Sequence, residues 1–173
     1  AKSSMMEQLF GYDKRHGWRN PSNFGYLFDE TQKTSLENLD LNFLTKEKYF
    51  DEFDLDTNDI SNQISSTFNT FPYFKNYTTA LVIKVEENIF FCIDQNFEMI
   101  EVNWSNEYSW ARPQISIDEL GQRPKDFKDI LNFGDFVYLK NNIDFYTLDQ
   151  IPLAESSIIS VNPNTGEVVA YHG

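Results

Sequence analysis

The chain has 173 residues, 40% hydrophobic and 16% aromatic, which is enough for a packed core and excludes wholesale disorder. Its 14 Lys and Arg against 27 Asp and Glu leave a net charge of −13, which disfavours nucleic acid and anionic lipid as partners. One cysteine, Cys92, excludes an internal disulfide and a multi-cysteine zinc site, and no run of roughly eighteen apolar residues exists to cross a membrane.

Residues 1–24 carry +2, residues 25–75 carry −6, residues 76–150 carry −7 and residues 151–173 carry −2. Met5, Met6, Leu9, Phe10 and Tyr12 predict a short helix over 2–12, with Gly11 and Gly17 as stops and Asn20-Pro21 as the exit. Thr34 or Ser35 is placed to cap a short helix bearing Leu36, Leu39, Leu41, Phe43 and Leu44. Residues 46–59 alternate apolar with acidic side chains and read as a surface segment. Ile60, Ile64, Phe68 and Phe71 predict a helix over 60–71, ended by Pro72.

The period then changes. Residues 79–85, 89–93 and 97–102 read as a three-stranded meander joined by three-residue turns. Residues 104–123 are irregular, and Pro124 to Leu131 predicts one short helix. Residues 136–140 and 143–148 form a second hairpin about Asn141-Asn142. Three strands, a short helix and two strands is the order of a five-stranded OB-type barrel. The expected fold is therefore mainly β with short helices: an OB-like barrel at 76–150 and flanking segments at 1–24 and 25–75. A terminal hairpin follows within 151–173, its turn set by Pro163 and Gly166. Two strands alone are marginal in water, so this hairpin reads as wanting a sheet to join. With a helical pattern at the first residues and a strand pattern at the last, the chain reads as a piece of something longer.

Searches for chemistry return little. There is no Ser-x-x-Lys, no Gly-x-Ser-x-Gly and no Gly-x-Gly. Asp54-x-Asp56-x-Asn58 begins like a calcium loop, but Asp59 and Ser65 stand where Gly and Glu are needed. His16 and His172 lie at opposite ends, so neither a metal nor a cofactor is expected. Two aromatic-cationic clusters remain. Tyr12, Arg15 and Trp18 suit stacking on a sugar or a partner's ring, but the reading favoured is a helix C-terminus with its dipole-offsetting cations. Trp104, Tyr108, Trp110 and Arg112 suit an oligosaccharide or protein contact, but the reading favoured is a plug at the barrel end with Arg112 in a salt bridge.

These clusters carry a resemblance. Tyr12-Asp13-Lys14-Arg15-His16-Gly17-Trp18-Arg19 resembles the Tyr-Asp-Arg-Arg-His-Gly-Tyr-Arg-Gly signature of class A penicillin-binding proteins of the 1A type. Further matches follow in the same order: Trp110-Ala111-Arg112-Pro113, Leu120-Gly121-x-x-Pro124, Asp129-Ile130-Leu131-x-x-Gly134-Asp135, Leu148-x-Gln150-Ile151-Pro152 and Val161-Asn162-Pro163-x-Thr165-Gly166. Residues 22–75 fit poorly, and Asn20 stands where Gly is usual.

The resemblance implies the OB-like domain inserted in a bifunctional peptidoglycan glycosyltransferase and DD-transpeptidase, with the catalytic serine beyond this chain. It further implies a periplasmic place in a Gram-negative inner-membrane protein, concerned with cell-wall synthesis and penicillin resistance. The expected partners are the adjoining transpeptidase domain and an outer-membrane lipoprotein activator, or else peptidoglycan glycan strands. On this reading the fragment is a non-catalytic regulatory module, and Tyr12, Arg15, Trp18, Trp104, Tyr108, Trp110 and Arg112 are its candidate binding residues.

Overall fold

The computed structural model describes residues 2–28, 30–31, 33–34, 58–116 and 118–172. The expected helix beginning near Thr34 and nearly all of the acidic segment 46–59 lie outside the described residues.

Helix α1 (Lys2–Arg15) is longer than its apolar spacing suggests. It runs through Gly11, because a glycine inside a helix costs only about 1 kcal/mol relative to alanine. Termination needs a left-handed residue, and Gly17 supplies it at φ +88. Lys14 and Arg15 sit in the last turn, where cations oppose the helix dipole. Strand β1 (Ser22–Asn23) pairs with Phe136 and Asp135, which brings the chain onto the barrel, and Phe24 and Phe28 then pack on its outer layer.

Helix α2 (Asn58–Phe68) places Ile64 and Phe68, four residues apart, on one buried face. The barrel follows. Strands β2 (Tyr77–Val85), β3 (Ile89–Asp94) and β4 (Met99–Asn103) form the antiparallel meander, and β5 (Asp135–Asn142) and β6 (Phe145–Asp149) form the second hairpin. The sheet order is β1-β5-β2-β3-β4, with β6 on β5. Strands β4 and β6 approach each other with no ladder between them among the described residues, so the OB-like barrel closes there by packing.

Strand β2 has apolar layers on both sides. Ala80 and Val82 face the barrel interior with Phe90, Cys92, Val102, Phe127, Leu139 and Leu148. Leu81 and Ile83 face an outer layer with Phe28, Ile64, Phe68, Ile93 and Phe136. That is why Ala-Leu-Val-Ile reads as an unbroken apolar run rather than an alternation.

Two local readings are corrected. Pro124 to Leu131 forms only a single 3-10 turn, Phe127–Asp129. Asp126 accepts from the Lys128 N–H and Asp129 from the Lys125 N–H, and such short-range bonds compete with an α-helical ladder. Asn141 and Asn142 lie within β5, and the turn is Ile143-Asp144. The Asn142 side-chain amide donates to Thr147 Oγ1 at 2.9 Å, and the Asn141 N–H donates to the Asn76 carbonyl. Side-chain and backbone bonds of this kind make asparagine a strand residue here.

The terminal hairpin, β7 (Ile158–Val161) with β8 (Val168–His172), forms its own two-stranded sheet, turning through Gly166 at φ +73. Ile159, Val161, Val168, Val169 and Tyr171 are all exposed on it.

Candidate functional site

The motif Tyr12 to Arg19 folds into the C-terminal turn of α1 and the strand-like residues after it. There it meets residues 149–153, which leave β6. Asp13 is buried, and its carboxylate takes both arms of the Arg19 guanidinium, at 2.8 and 3.0 Å. Gln150 Nε2 donates to Asp13 at 2.8 Å and to the Gly17 carbonyl at 2.8 Å. The Leu153 N–H also points at Asp13, at 3.4 Å. Arg19 completes the circuit: its guanidinium donates to the Ile151 carbonyl and its N–H to Gln150 Oε1. A paired, bidentate arrangement is what a buried carboxylate requires, since its charge is otherwise costly to desolvate.

Beside this circuit, Lys14 Nζ pairs with buried Asp149 at 2.9 Å and lies 4.8 Å from the Trp110 ring centroid. Asp149 also accepts from the Tyr77 hydroxyl at 3.2 Å, and burial together with that carboxylate pushes the tyrosine pKa well up. Trp18 is 3% exposed, and its indole N–H donates to the Ile130 carbonyl at 3.1 Å. Gly17 is required twice over: it is left-handed, and a Cβ there would come within 2.6 Å of the Arg112 carbonyl.

Six of the seven candidate residues thus separate into three pairs, and Arg112 stands apart. Tyr12 and Arg15 are exposed on α1, with the Tyr12 ring tilted against the His16 ring, centroids 4.2 Å apart. Trp18 and half-buried Trp110 meet edge to face at 5.7 Å beneath α1. Trp104 and Tyr108 pack on Phe127 at 4.9 and 5.3 Å, at the seam between β4 and β6. Tyr108 is buried, and its hydroxyl accepts from the Leu148 N–H at 3.1 Å. Burial raises the Tyr108 pKa, and the Leu148 bond opposes that rise. Among the described residues Arg112 makes no salt bridge of the kind weighed for the plug: its guanidinium donates to the Gly121 and Leu120 carbonyls, at 2.7 and 3.2 Å. These two loop carbonyls are the partners within its reach.

Asp13, Lys14, Arg19, Asp149 and Gln150 were not among the candidates, although four of the five lie inside the quoted motifs. The signal was a polar residue set between motifs 130 positions apart, and only the fold shows that the motifs touch. The calcium-like stretch beginning at Asp54 lies outside the described residues for its first ligands. Among the described residues no group of three His, Cys, Asp or Glu is placed to hold a metal. Cys92 is fully buried, and burial pushes its thiol pKa well up, which makes it a packing residue.

Comparison with known proteins places this geometry. Residues 47–154 match the family described as the penicillin-binding protein OB-like domain. Penicillin-binding protein 1A of Escherichia coli (strain K12) is 22% identical over the whole chain, and that of Pseudomonas aeruginosa is 25% identical over 97% of it. The chain spans 17% of the length of each of these two relatives. The crystal structure of penicillin-binding protein 1A from Haemophilus influenzae matches with a TM-score of 0.56 at 18% identity, covering 97% of this chain and 19% of that one.

Proposed function

The chain belongs to the penicillin-binding protein OB-like domain family, and from that premise we propose that it is a non-catalytic docking and regulatory domain of a longer peptidoglycan synthase. The parent would be a periplasm-facing inner-membrane protein with glycosyltransferase and DD-transpeptidase activities. The docked partner would be an outer-membrane lipoprotein activator. The exposed apolar residues of the β7–β8 hairpin would pack on the adjoining transpeptidase domain.

One observation supports the docking role above the others, and it is the tip of the β5–β6 hairpin. Ile143 is 98% exposed and held at φ +55, a conformation β-branched residues avoid. Phe145 beside it is 61% exposed. Neither choice helps folding, and apolar side chains standing on a rigid barrel suit a protein contact.

The test uses the full-length parent carrying Ile143→Ser and Phe145→Ser. Activator-stimulated turnover falls at least roughly tenfold toward the basal rate, while unstimulated turnover is retained, because hot-spot side chains carry most of the binding energy. Undiminished stimulation refutes the assignment. Titrating glycan strands into this chain addresses the other reading, in which glycan strands are the ligand. A change in tryptophan fluorescence at sub-millimolar glycan would favour that reading, centred on Trp110 and the exposed Tyr12.

A further inference from the structure

The buried circuit of Asp13, Arg19 and Gln150 does not belong to the barrel ladders. Every bond made by its three side chains runs within residues 13–19 or between that segment and residues 150–153. It therefore joins the segment leading into the domain to the segment leading out. These two segments, with α1 ahead of the first, each supply part of the wall of an open groove of about 1270 Å³, which Phe71, Phe136 and Tyr138 also line. Met5, Leu9 and Phe10 of α1 line it together with Ile151, Pro152 and Leu153. Beside the circuit, Lys14 pairs with Asp149 at the end of β6, where the exit segment starts, and the Trp18 indole ties the entry segment to Ile130 of the barrel.

From this placement we infer that Asp13, Arg19 and Gln150 are a conformational lock. The lock holds the two segments at one separation and opens as a unit while the barrel stays folded. Its outer edge is reachable: Arg19 keeps 25% of its side-chain surface in solvent, whereas Asp13 keeps 5%. A load or ligand that withdraws the guanidinium leaves a buried carboxylate with only neutral donors, so loss of Arg19 releases Gln150 and Leu153 in the same event. The inference is independent of what docks on the barrel, because it concerns the mutual placement of the two ends of the domain.

Amide hydrogen exchange on this chain tests it. In Arg19→Ala, exchange at the Gln150 to Leu153 segment accelerates by roughly tenfold or more, as expected for losing hydrogen bonds to a charged group. The amides of β2 and β3 keep wild-type rates. Arg19→Lys, which keeps the charge but not the fork, accelerates the same amides by a smaller factor and serves if the alanine variant does not fold. Unchanged exchange at 150–153 in both variants overturns the lock. So does acceleration of β2 and β3 by the same factor, because the circuit would then be one more part of the barrel's cooperative unit.

Discussion

Replacing Tyr108 by Phe removes one oxygen at the seam where β4 and β6 pack without a ladder. That oxygen accepts the Leu148 N–H at 3.1 Å, and both residues are buried, so no water replaces it. The ring stays, and with it the contacts to Trp104 at 5.5 Å and to Phe127 at 5.3 Å. The loss is thus close to the cost of orphaning one buried N–H. That cost is about 1–3 kcal/mol, eased by no longer desolvating a hydroxyl, which leaves about 1–2 kcal/mol. With a urea m-value of about 2 kcal/mol/M, the midpoint falls by about 0.5–1 M at unchanged slope. Tyr108→Ala, which also removes the ring, costs about 3–5 kcal/mol. Urea unfolding followed by tryptophan fluorescence reads both. A Tyr108→Phe variant as stable as the wild type would mean that the hydroxyl does not seal the barrel, and Tyr108 would return to the list of ligand-facing side chains.

Gly134 is left-handed at φ +84, and a Cβ there would lie 2.5 Å from Gly25 Cα and nearer still to its N. Gly134→Ala should lose about 2–5 kcal/mol by summing left-handed strain and overpacking, whereas Gly11→Ala within α1 should gain about 0.5–1 kcal/mol, both read by urea midpoints. Asp135 is buried, and desolvation raises its pKa against the opposing bonds from Asn23 and Asn132. A carboxyl with a raised folded-state pKa binds its proton more tightly when folded, so its contribution is greatest below the ordinary carboxylate pKa and is lost as pH rises through the folded value. The stability deficit of Asp135→Asn should therefore narrow between about pH 4 and pH 7, and a constant deficit would contradict the shift.

The barrel strands are legible because β-branched and aromatic runs such as Thr79 to Val85 have few alternatives to a sheet. Misreadings arise where a side chain competes with the backbone. Asn142 uses its side-chain amide on Thr147 and Asn141 pairs its backbone N–H with the Asn76 carbonyl, while Ile143, a poor turn residue by any propensity, makes the bend. Asp126 and Asp129 likewise break up a helix that apolar spacing favours. At the site, Trp18 and Tyr108 have the composition of a ligand platform whether they face in or out. Their orientation depends on Ile130 and Leu148, far away in the chain. Asp13 and Gln150 are 137 residues apart, and no local pattern connects them.

Strand β2 has an unusual way of keeping its register. A strand with one wet face is held in place by polarity, since a one-residue slip would drown its oily side chains. Ala80, Leu81, Val82 and Ile83 are all dry, so polarity gives no such warning. Size does. The small pair faces the Phe90 and Phe127 rings, and the large pair faces α2. A slip would drive leucine and isoleucine into space already filled by aromatic rings and leave a void on the far side. In this strand, volume is the only proofreader.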